Sequence, residues 1–490
     1  MKKCIVIGAG ISGLSTAALL AQAGYDVTIL EKNAQPGGRA GVIKADGFTF
    51  DMGPSWYLMP EVFEHFYASV GKRSQDYFKL KQLSPSYKIF FDKETTVSVP
   101  AQLKKTLALF EKLEPNGAQK LTEYLQQSKF LYEEAIKHFM YQDYRSIFDF
   151  FRKDILINGP KMHIFESIDA FTKRYFTSDL ARKILMYNIV FLGGTPTNTP
   201  ALYSLMSHID FELGVWYPMG GISVFIDSLV KIATEKGVKI KYNQDVRKLS
   251  VVSDHAISSV VTQKRSFEAD LVVASGDYPH TEMNLLSPAD QSYPASYWKK
   301  KTIAPSAFIL YLGISKKIEK LEHHTLFLDH DWMKHFDSIF NNPSWPEEPS
   351  YYVCAPSKTD PSVAPKGMEN LFILVPVAPG LKDTPAVRKQ YTKKILSHLE
   401  ELIGQKFQDD IVYLKTFAHN DYQSLYHAYQ GTALGLSHTV FQSALFRPAH
   451  QSKKVHNLFY TGQYTHPGIG MPTCLISSQI TAQAVIKKYG

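Results

Sequence analysis

The stretch that most limits how this chain can fold is residues 3–24, KCIVIGAGISGLSTAALLAQAG. Lys3 to Ile7 is a short β-branched run of the kind found in buried parallel strands. Gly8-Ala9-Gly10-Ile11-Ser12-Gly13 then turns the chain into a segment rich in Ala and Leu, which favours helix. At this spacing Gly8 permits the tight turn, Gly10 lets the backbone approach a pyrophosphate, and Gly13 lets helix pack closely on strand. The free N–H groups of the helix N-terminus, with its dipole, then hold the phosphates. A second apolar run, Asp26–Leu30, ends in Glu31, 18 residues past Gly13, where a carboxylate accepts ribose hydroxyls. The glycine motif alone is a weak signal. The strand before it, the helix after it and the acid closing the next strand make it specific for a dinucleotide.

Composition narrows the class. A chain of 490 residues with 44% hydrophobic and 20% charged residues has the make-up of a globular enzyme of roughly two to four folding units. Aromatic residues reach 13%, which suits either a wide apolar pocket or a Phe/Tyr-rich core. The net charge of +8 is scattered in short groups such as Lys299-Lys300-Lys301, Lys316-Lys317, Lys453-Lys454 and Lys487-Lys488. No basic block or finger pattern points to nucleic acid, whereas weak attraction to an anionic membrane surface fits. Cys4, Cys354 and Cys474 lie far apart and lack metal-ligand spacing, so no metal site is expected and a reducing compartment is. GAGISG interrupts the opening apolar run, against a signal peptide, and no stretch of about eighteen apolar residues is present to span a bilayer. The expectation is a cytoplasmic protein, soluble or peripheral to the membrane.

Further along, Lys32 to Ala40 contains Gly37-Gly38-Arg39, a loop able to fold back under the dinucleotide with Arg39 reaching its diphosphate. Residues 47–51 alternate like a strand that Gly53-Pro54-Ser55-Trp56 breaks, a tip where a flat ring could lie against backbone. Val62, Phe63, Phe66, Tyr67 and Val70 share one helical face, and Tyr87–Val99 reads as strands. Helices are predicted over 103–113, 121–132 and 201–213. The aromatic stretch from Phe130 to Phe176 also reads as helical, either core of a cap, a tunnel lining or a membrane-facing entrance. Asp149 and Arg152 stand among those aromatics as an acid and a base. A helix over Ser223–Lys236, stopped by Gly237, leads into strands at Val238–Tyr242, Val246–Val252, Ser259–Thr262 and Leu271–Ala274, with Asp245-Val246 placed to approach an adenine. Ser306–Ile314, Tyr351–Cys354 and Leu371–Val377 read as strands extending the sheet begun near residue 87, and Val387–Ile403 as an amphipathic helix. A strand over 457–462 and a helix over Leu475–Lys488 close the chain. No linker separates these parts, so the domains are interleaved rather than consecutive.

The stretch Tyr460-Thr461-Gly462-Gln463-Tyr464-Thr465-His466-Pro467-Gly468-Ile469-Gly470-Met471-Pro472 again joins a strand to a helix through glycines. Together with VIGAGISGL, EKNAQPGGRAG, GFTFDMGPS, GVWYPMGGI and GTALGLSHTVFQSALFRP, it resembles the bacterial phytoene desaturase family, which includes the dehydrosqualene desaturases. More broadly, the chain is similar to the amine-oxidase-like flavoproteins over essentially its whole length.

The resemblance implies an α/β (α+β overall) architecture: a Rossmann-type FAD-binding domain, an interleaved mixed-sheet substrate domain and a helical cap. The implied division is 1–80, 215–290 and 450–490 for FAD, 81–100 and 291–449 for substrate, and 101–214 for the cap. FAD is expected at Gly8, Gly10, Ile11, Ser12, Gly13, Glu31, Lys32, Gly38 and Arg39, with Gly53, Pro54, Ser55, Val246, Gly462, Gly470 and Met471 completing the site. The backbone of the last glycine-rich turn would face the flavin's carbonyl oxygens. Gln463 and Tyr464 depart from the family's usual Gly-Ala-x-Thr-His-Pro. The implied reaction is dehydrogenation of a linear C40 or C30 polyene, such as phytoene or dehydrosqualene, with quinone or oxygen as electron acceptor. A carotenoid oxygenase or ketolase, a flavin-dependent carotene cis–trans isomerase and an amine oxidase are the alternatives. His466 sits in the flavin-proximal motif, as catalyst or as brace, and no catalytic residue is assigned.

Overall fold

In the computed structural model, which describes residues 1–144 and 162–490, the opening β-branched run is the strand Lys3–Ile7, with Cys4, Ile5 and Val6 buried. It is the middle strand of a five-stranded parallel sheet in the order Leu458–Tyr460, Leu271–Ala274, Lys3–Ile7, Asp26–Leu30, Lys239–Lys241. Both faces are covered, as an all-parallel sheet requires. On one face the helix Ile11–Gln22 packs between the helices Ile222–Glu235 and Met471–Tyr489, burying Leu14, Ala17, Phe225, Leu229, Leu475 and Val485 together. On the other, an antiparallel sheet of Val246–Val251, Ile257–Thr262 and Ser266–Glu268 joins Leu249 and Val260 to Ile5, Leu30 and Val272.

The second large sheet has seven strands and takes the hairpin Tyr87–Phe90/Thr96–Val99 together with distant segments. Ser306–Ile314 lies antiparallel between Ile411–Phe417 and Glu369–Val377, followed by Tyr351–Cys354, His324–Phe327 and the hairpin. Only the pairing of His324–Phe327 with Tyr87–Phe90 is parallel, so the sheet is mixed. Every residue of Ser306–Ile314 is buried. Alternation splits its side chains: Phe308, Leu310 and Leu312 face the helix Pro385–Ile403, while Ile309 and Tyr311 meet Phe50 and the cap. That helix is bounded as its sequence dictates. Thr384 Oγ1 accepts the Val387 N–H at 3.3 Å, Pro385 fills the first turn, and Gly404 ends it at φ +64°. Burying a Phe or Leu contributes about 1.5–3 kcal/mol, and both faces of this strand do so repeatedly.

The cap begins with the helices Leu103–Leu113 and Gly117–Glu134, the second burying Leu121, Tyr124, Leu125, Ser128, Leu131 and Tyr132 as its spacing predicts. It continues as a wider helix over Ala135–Met140 and turns at Tyr141. The expectation of continuous helix from Phe130 to Phe176 fails here. Residues 145–161 lie outside the described residues; after them 164–166 are turn and bend, Ser167 bridges to Pro200, and helix runs over Ile168–Lys173. Ser167 explains the restart, because its Oγ accepts the Ala170 N–H. Asp149 and Arg152 lie outside the described residues. Further differences are local: Ser266–Glu268, His324–Phe327 and Ile411–Phe417 are strands that local pattern did not mark, and the last helix starts at Met471 because Pro472 suits a first turn. No helix among the described residues is long and apolar enough to cross a membrane.

Candidate active site

A cavity of about 1020 Å³ runs from the first turn of the parallel sheet to the cap and the seven-stranded sheet. At its polar end Gly8 takes φ +97° and its N–H donates to the Leu30 carbonyl at 2.8 Å. Gly10 begins the helix at φ −77°, ψ 179°, and a Cβ placed there would find nothing within 4 Å. Gly13 is the opposite case: a Cβ would lie 2.1 Å from the Gly8 carbonyl oxygen. Gly37 donates to the Ala9 carbonyl at 2.8 Å, which folds the second loop under the first as its double glycine predicts.

Glu31 Oε2 accepts the Ala9 N–H at 2.7 Å and Oε1 the Asn33 N–H at 2.8 Å. Burial raises its carboxyl above the usual range, against the pull of those two N–H groups. Lys32 reaches the Ser424 carbonyl, and burial lowers its ammonium. The Arg39 guanidinium lies 5.5 Å from the centre of the Tyr426 ring, its Nη2 donates to the Thr432 carbonyl at 3.3 Å, and its buried Nε has no partner. At the tip of the next strand Asp277 accepts from the Tyr464 hydroxyl at 2.8 Å and from the Tyr429 N–H at 3.2 Å.

The far wall of this end comes from the other extreme of the chain. Gly462, Gly468 and Gly470 take φ +112°, +130° and +126°, values open to glycine but strained for other residues. Arg447 fixes this turn. Fully enclosed, it donates to the carbonyls of Leu436, Gln442, Gln463, Tyr464 and Thr465, and burial lowers its guanidinium to about 10. His438 accepts the Ile469 N–H on Nε2 at 3.0 Å and meets the Tyr203 hydroxyl through Nδ1 at 2.7 Å. His466 Nε2 donates to the Phe139 carbonyl at 3.0 Å, and burial lowers its imidazole to about 3. That contact ties the turn to the cap, the role of a brace.

All the sequence-predicted residues from Gly8 to Met471 line this one cavity except Gly13, which stands behind it and sets the helix–strand distance. The strand tip Gly53-Pro54-Ser55 lies on it too, held by a contact of 2.9 Å between the hydroxyls of Ser55 and Tyr352. Gln463 faces the cavity and its buried Nε2 has no partner, whereas Tyr464 turns away to Asp277. Open space in front of Gly10, with unpaired buried N–H groups on Arg39 and Gln463, is what a diphosphate-bearing dinucleotide needs.

Beyond Trp56 the lining turns apolar. Met59, Phe139, Met206, Leu326, Trp332 and Phe336 are among its walls, and Phe165, Phe441 and Phe446 stand at 87%, 73% and 44% exposure on the same cavity. Among the described residues, the expected aromatic wall at 56–67 and 130–176 is therefore only partly the real one. Trp56, Phe139 and Phe165 line the space, while Phe63, Phe66, Tyr67, Phe171 and Phe176 are core. The walls from 187–209, 326–339 and 440–446 carry no local signal beyond their apolar residues.

The flavin-containing amine oxidoreductase family matches residues 11–486. The carotenoid 3,4-desaturase of Haloarcula japonica is 45% identical over 98% of this chain and 97% of its own length. The 4,4'-diapophytoene desaturase (4,4'-diaponeurosporene-forming) of Staphylococcus haemolyticus is 32% identical over 98% of each chain. The crystal structure of an oxidoreductase from Methanosarcina mazei shares the fold, with a TM-score of 0.62 at 18% identity over 99% of this chain and 100% of that one. The chain belongs to the flavin-containing amine oxidoreductase family and, within it, to the carotenoid desaturases, FAD-dependent oxidoreductases that act on CH–CH bonds.

Proposed function

We propose that the chain dehydrogenates a long linear carotenoid inside the apolar part of the cavity, next to FAD held at its polar end. The continuity of that one space, from the Gly10 turn to the exposed phenylalanines, is the observation that carries this reading. Gly8, Gly10, Ile11 and Ser12 present backbone to the diphosphate, Glu31 takes the ribose, and Lys32, Gly38 and Arg39 close over it. Val246 flanks the adenine. Gly53, Pro54 and Ser55 support one side of the flavin ring, and Gly462, Gly470 and Met471 face its polar edge. When bound, FAD supplies the hydride acceptor. The chain's own part is to orient a substrate that offers no polar handle and to exclude water, through Trp56, Phe139, Leu326 and Trp332. The division into FAD-binding (1–80, 215–290, 450–490), substrate (81–100, 291–449) and cap (101–214) parts follows the two sheets and the cap helices.

The bond acted on is a single bond at the end of an existing polyene. The substrates to try first are phytoene, dehydrosqualene and, since the 45% identical relative is named a carotenoid 3,4-desaturase, an already desaturated carotenoid. Phe165, Phe441 and Phe446 form the entrance and dip into the surface of an anionic membrane, where such a substrate is dissolved. A quinone or oxygen takes the electrons. The test is expression in cells accumulating each of these polyenes separately, followed by absorption spectra of the extracts. A red shift in one of them is the expected result. An FAD-loaded protein that lengthens no chromophore, or that only adds oxygen or changes cis–trans geometry, overturns the proposal.

A further inference from the structure

Behind Trp56, outside the cavity, the fold gathers a group that cysteine spacing along the chain did not suggest. His324 and Cys354 are direct partners on the antiparallel strands His324–Phe327 and Tyr351–Cys354, so their side chains project from the same face. His323, just before the first strand, turns its ring toward them, with the two imidazole centres 4.5 Å apart. One ring nitrogen of each histidine and the Cys354 Sγ all lie within 4.8 Å of one another, and all three residues are buried.

Each ring is hydrogen-bonded through one nitrogen. His323 Nδ1 meets the Thr359 hydroxyl at 2.8 Å, and His324 Nδ1 meets the Tyr352 hydroxyl at 2.6 Å. The Nε2 atoms of both are buried and have no partner among the described residues. A hydrogen bond on one imidazole nitrogen, with the other left open, is how proteins orient metal-bound histidines. A buried nitrogen without a partner is costly, and this group holds two of them, while Cys354 is hydrogen-bonded to the same Tyr352 hydroxyl that meets His324 Nδ1. Trp56 stacks on His324 at 4.0 Å and 11°, which fixes the plane of that ring.

We propose that His323, His324 and Cys354 bind one thiophilic closed-shell ion, Zn²⁺ or Cu⁺. Two imidazoles and a thiol exclude Mg²⁺ and Ca²⁺, which require oxygen ligands. On binding, the Cys354 S–H bond breaks, its proton leaves to solvent and the sulfur's electron pair forms the metal bond. No electron is transferred. The ion joins the loop before one strand to the end of its neighbour, directly behind the Trp56 and Tyr352 part of the cavity wall. With the site enclosed on all sides, the metal enters as the chain folds.

The experiment uses the full chain purified with FAD after growth in zinc-supplemented and, separately, copper-supplemented medium, with metal measured by mass spectrometry. About one equivalent of one of the two per chain is expected, falling below about a tenth in Cys354→Ser and His323→Gln. Growth in cobalt gives a second readout, a sulfur-to-cobalt charge-transfer band in the near ultraviolet of the wild-type protein. An ion at the half-buried group of Asp329, His330 and His398 gives no such band, so the two places are told apart. Wild-type protein with its FAD but with neither metal nor cobalt band overturns the proposal, whether or not the variants fold.

Discussion

Two glycines three residues apart should fail in opposite ways. At Gly13 an added Cβ sits 2.1 Å from the Gly8 oxygen, where ordinary contact begins at 3.4 Å, so the first helix must move off its strand by more than an ångström. Such overpacking costs about 1–3 kcal/mol, and Gly13→Ala should lower the Tm of the protein even without FAD. At Gly10 the same methyl meets no protein atom within 4 Å, and φ −77°, ψ 179° is open to alanine. Gly10→Ala should therefore leave the FAD-free protein unchanged or more stable by about 0.4–1 kcal/mol, through the less free unfolded chain. Its methyl occupies the space assigned to the diphosphate. In wild type, FAD at 100 times its Kd adds about 2.7 kcal/mol of stability, and in Gly10→Ala this increment should vanish. Thermal unfolding of both variants with and without added FAD, plus flavin fluorescence titration, reads all four quantities. Normal FAD stabilisation of Gly10→Ala would refute the placement of the diphosphate. Loss of stability in FAD-free Gly10→Ala would refute the claim that the space is open.

Other expectations are equally specific. Arg447→Leu leaves five carbonyls in the last turn without their donor and should lose FAD together with at least about 3 kcal/mol, whereas a stable, flavin-loaded variant would remove Arg447 from its organising role. Burial raises the Asp210 carboxyl to about 7, although the hydroxyls of Tyr87 and Tyr187 donate to it at 2.7 and 3.1 Å. Its contribution to stability is thus complete below its ordinary value of 3.8 and is lost as pH rises through about 7, at about 1.4 kcal/mol per pH unit between them. Urea titrations should show wild type losing stability relative to Asp210→Asn from pH 5 to 7, and a constant difference would contradict this. With its imidazole near 3, His466 should show no proton NMR titration between about pH 5 and 8. Replacing Phe165, Phe441 and Phe446 by serine should abolish co-sedimentation with anionic vesicles while leaving FAD content intact, and unchanged binding would place the membrane contact elsewhere.

Legibility followed separation along the chain. The Gly8 turn, Glu31 and the fold-back at Gly37 were readable because their geometry is set within about thirty residues. So was the cap helix over 117–134, whose apolar spacing alone selects its buried face. Asp51 was not: it accepts the Ile222 and Ser223 N–H groups at 2.8 and 3.2 Å and caps a helix some 170 positions away. Arg447 looked like one basic residue in a motif, since carbonyls carry no residue-type signature. His324–Phe327 escaped because a four-residue strand in a His-rich loop shows its pattern only when its neighbours are known. The cavity wall from Trp332 to Ile339 was equally hidden, because its helix spacing predicts burial without saying against what.

The order of strands in the parallel sheet also sets a timetable. Its edge strand, Leu458–Tyr460, is synthesised after the other four strands of the sheet, and it covers Leu271–Ala274. At roughly 5–20 residues per second, roughly 10 to 40 s separate the emergence of Ala274 from that of Leu458. Through that interval the edge of Leu271–Ala274 is open to any other nascent strand, and the turn held by Arg447 does not yet exist. Cofactor capture therefore waits for residues 458–472, and a nascent chain halted before them exposes an unpaired sheet edge and has nothing to close over its flavin.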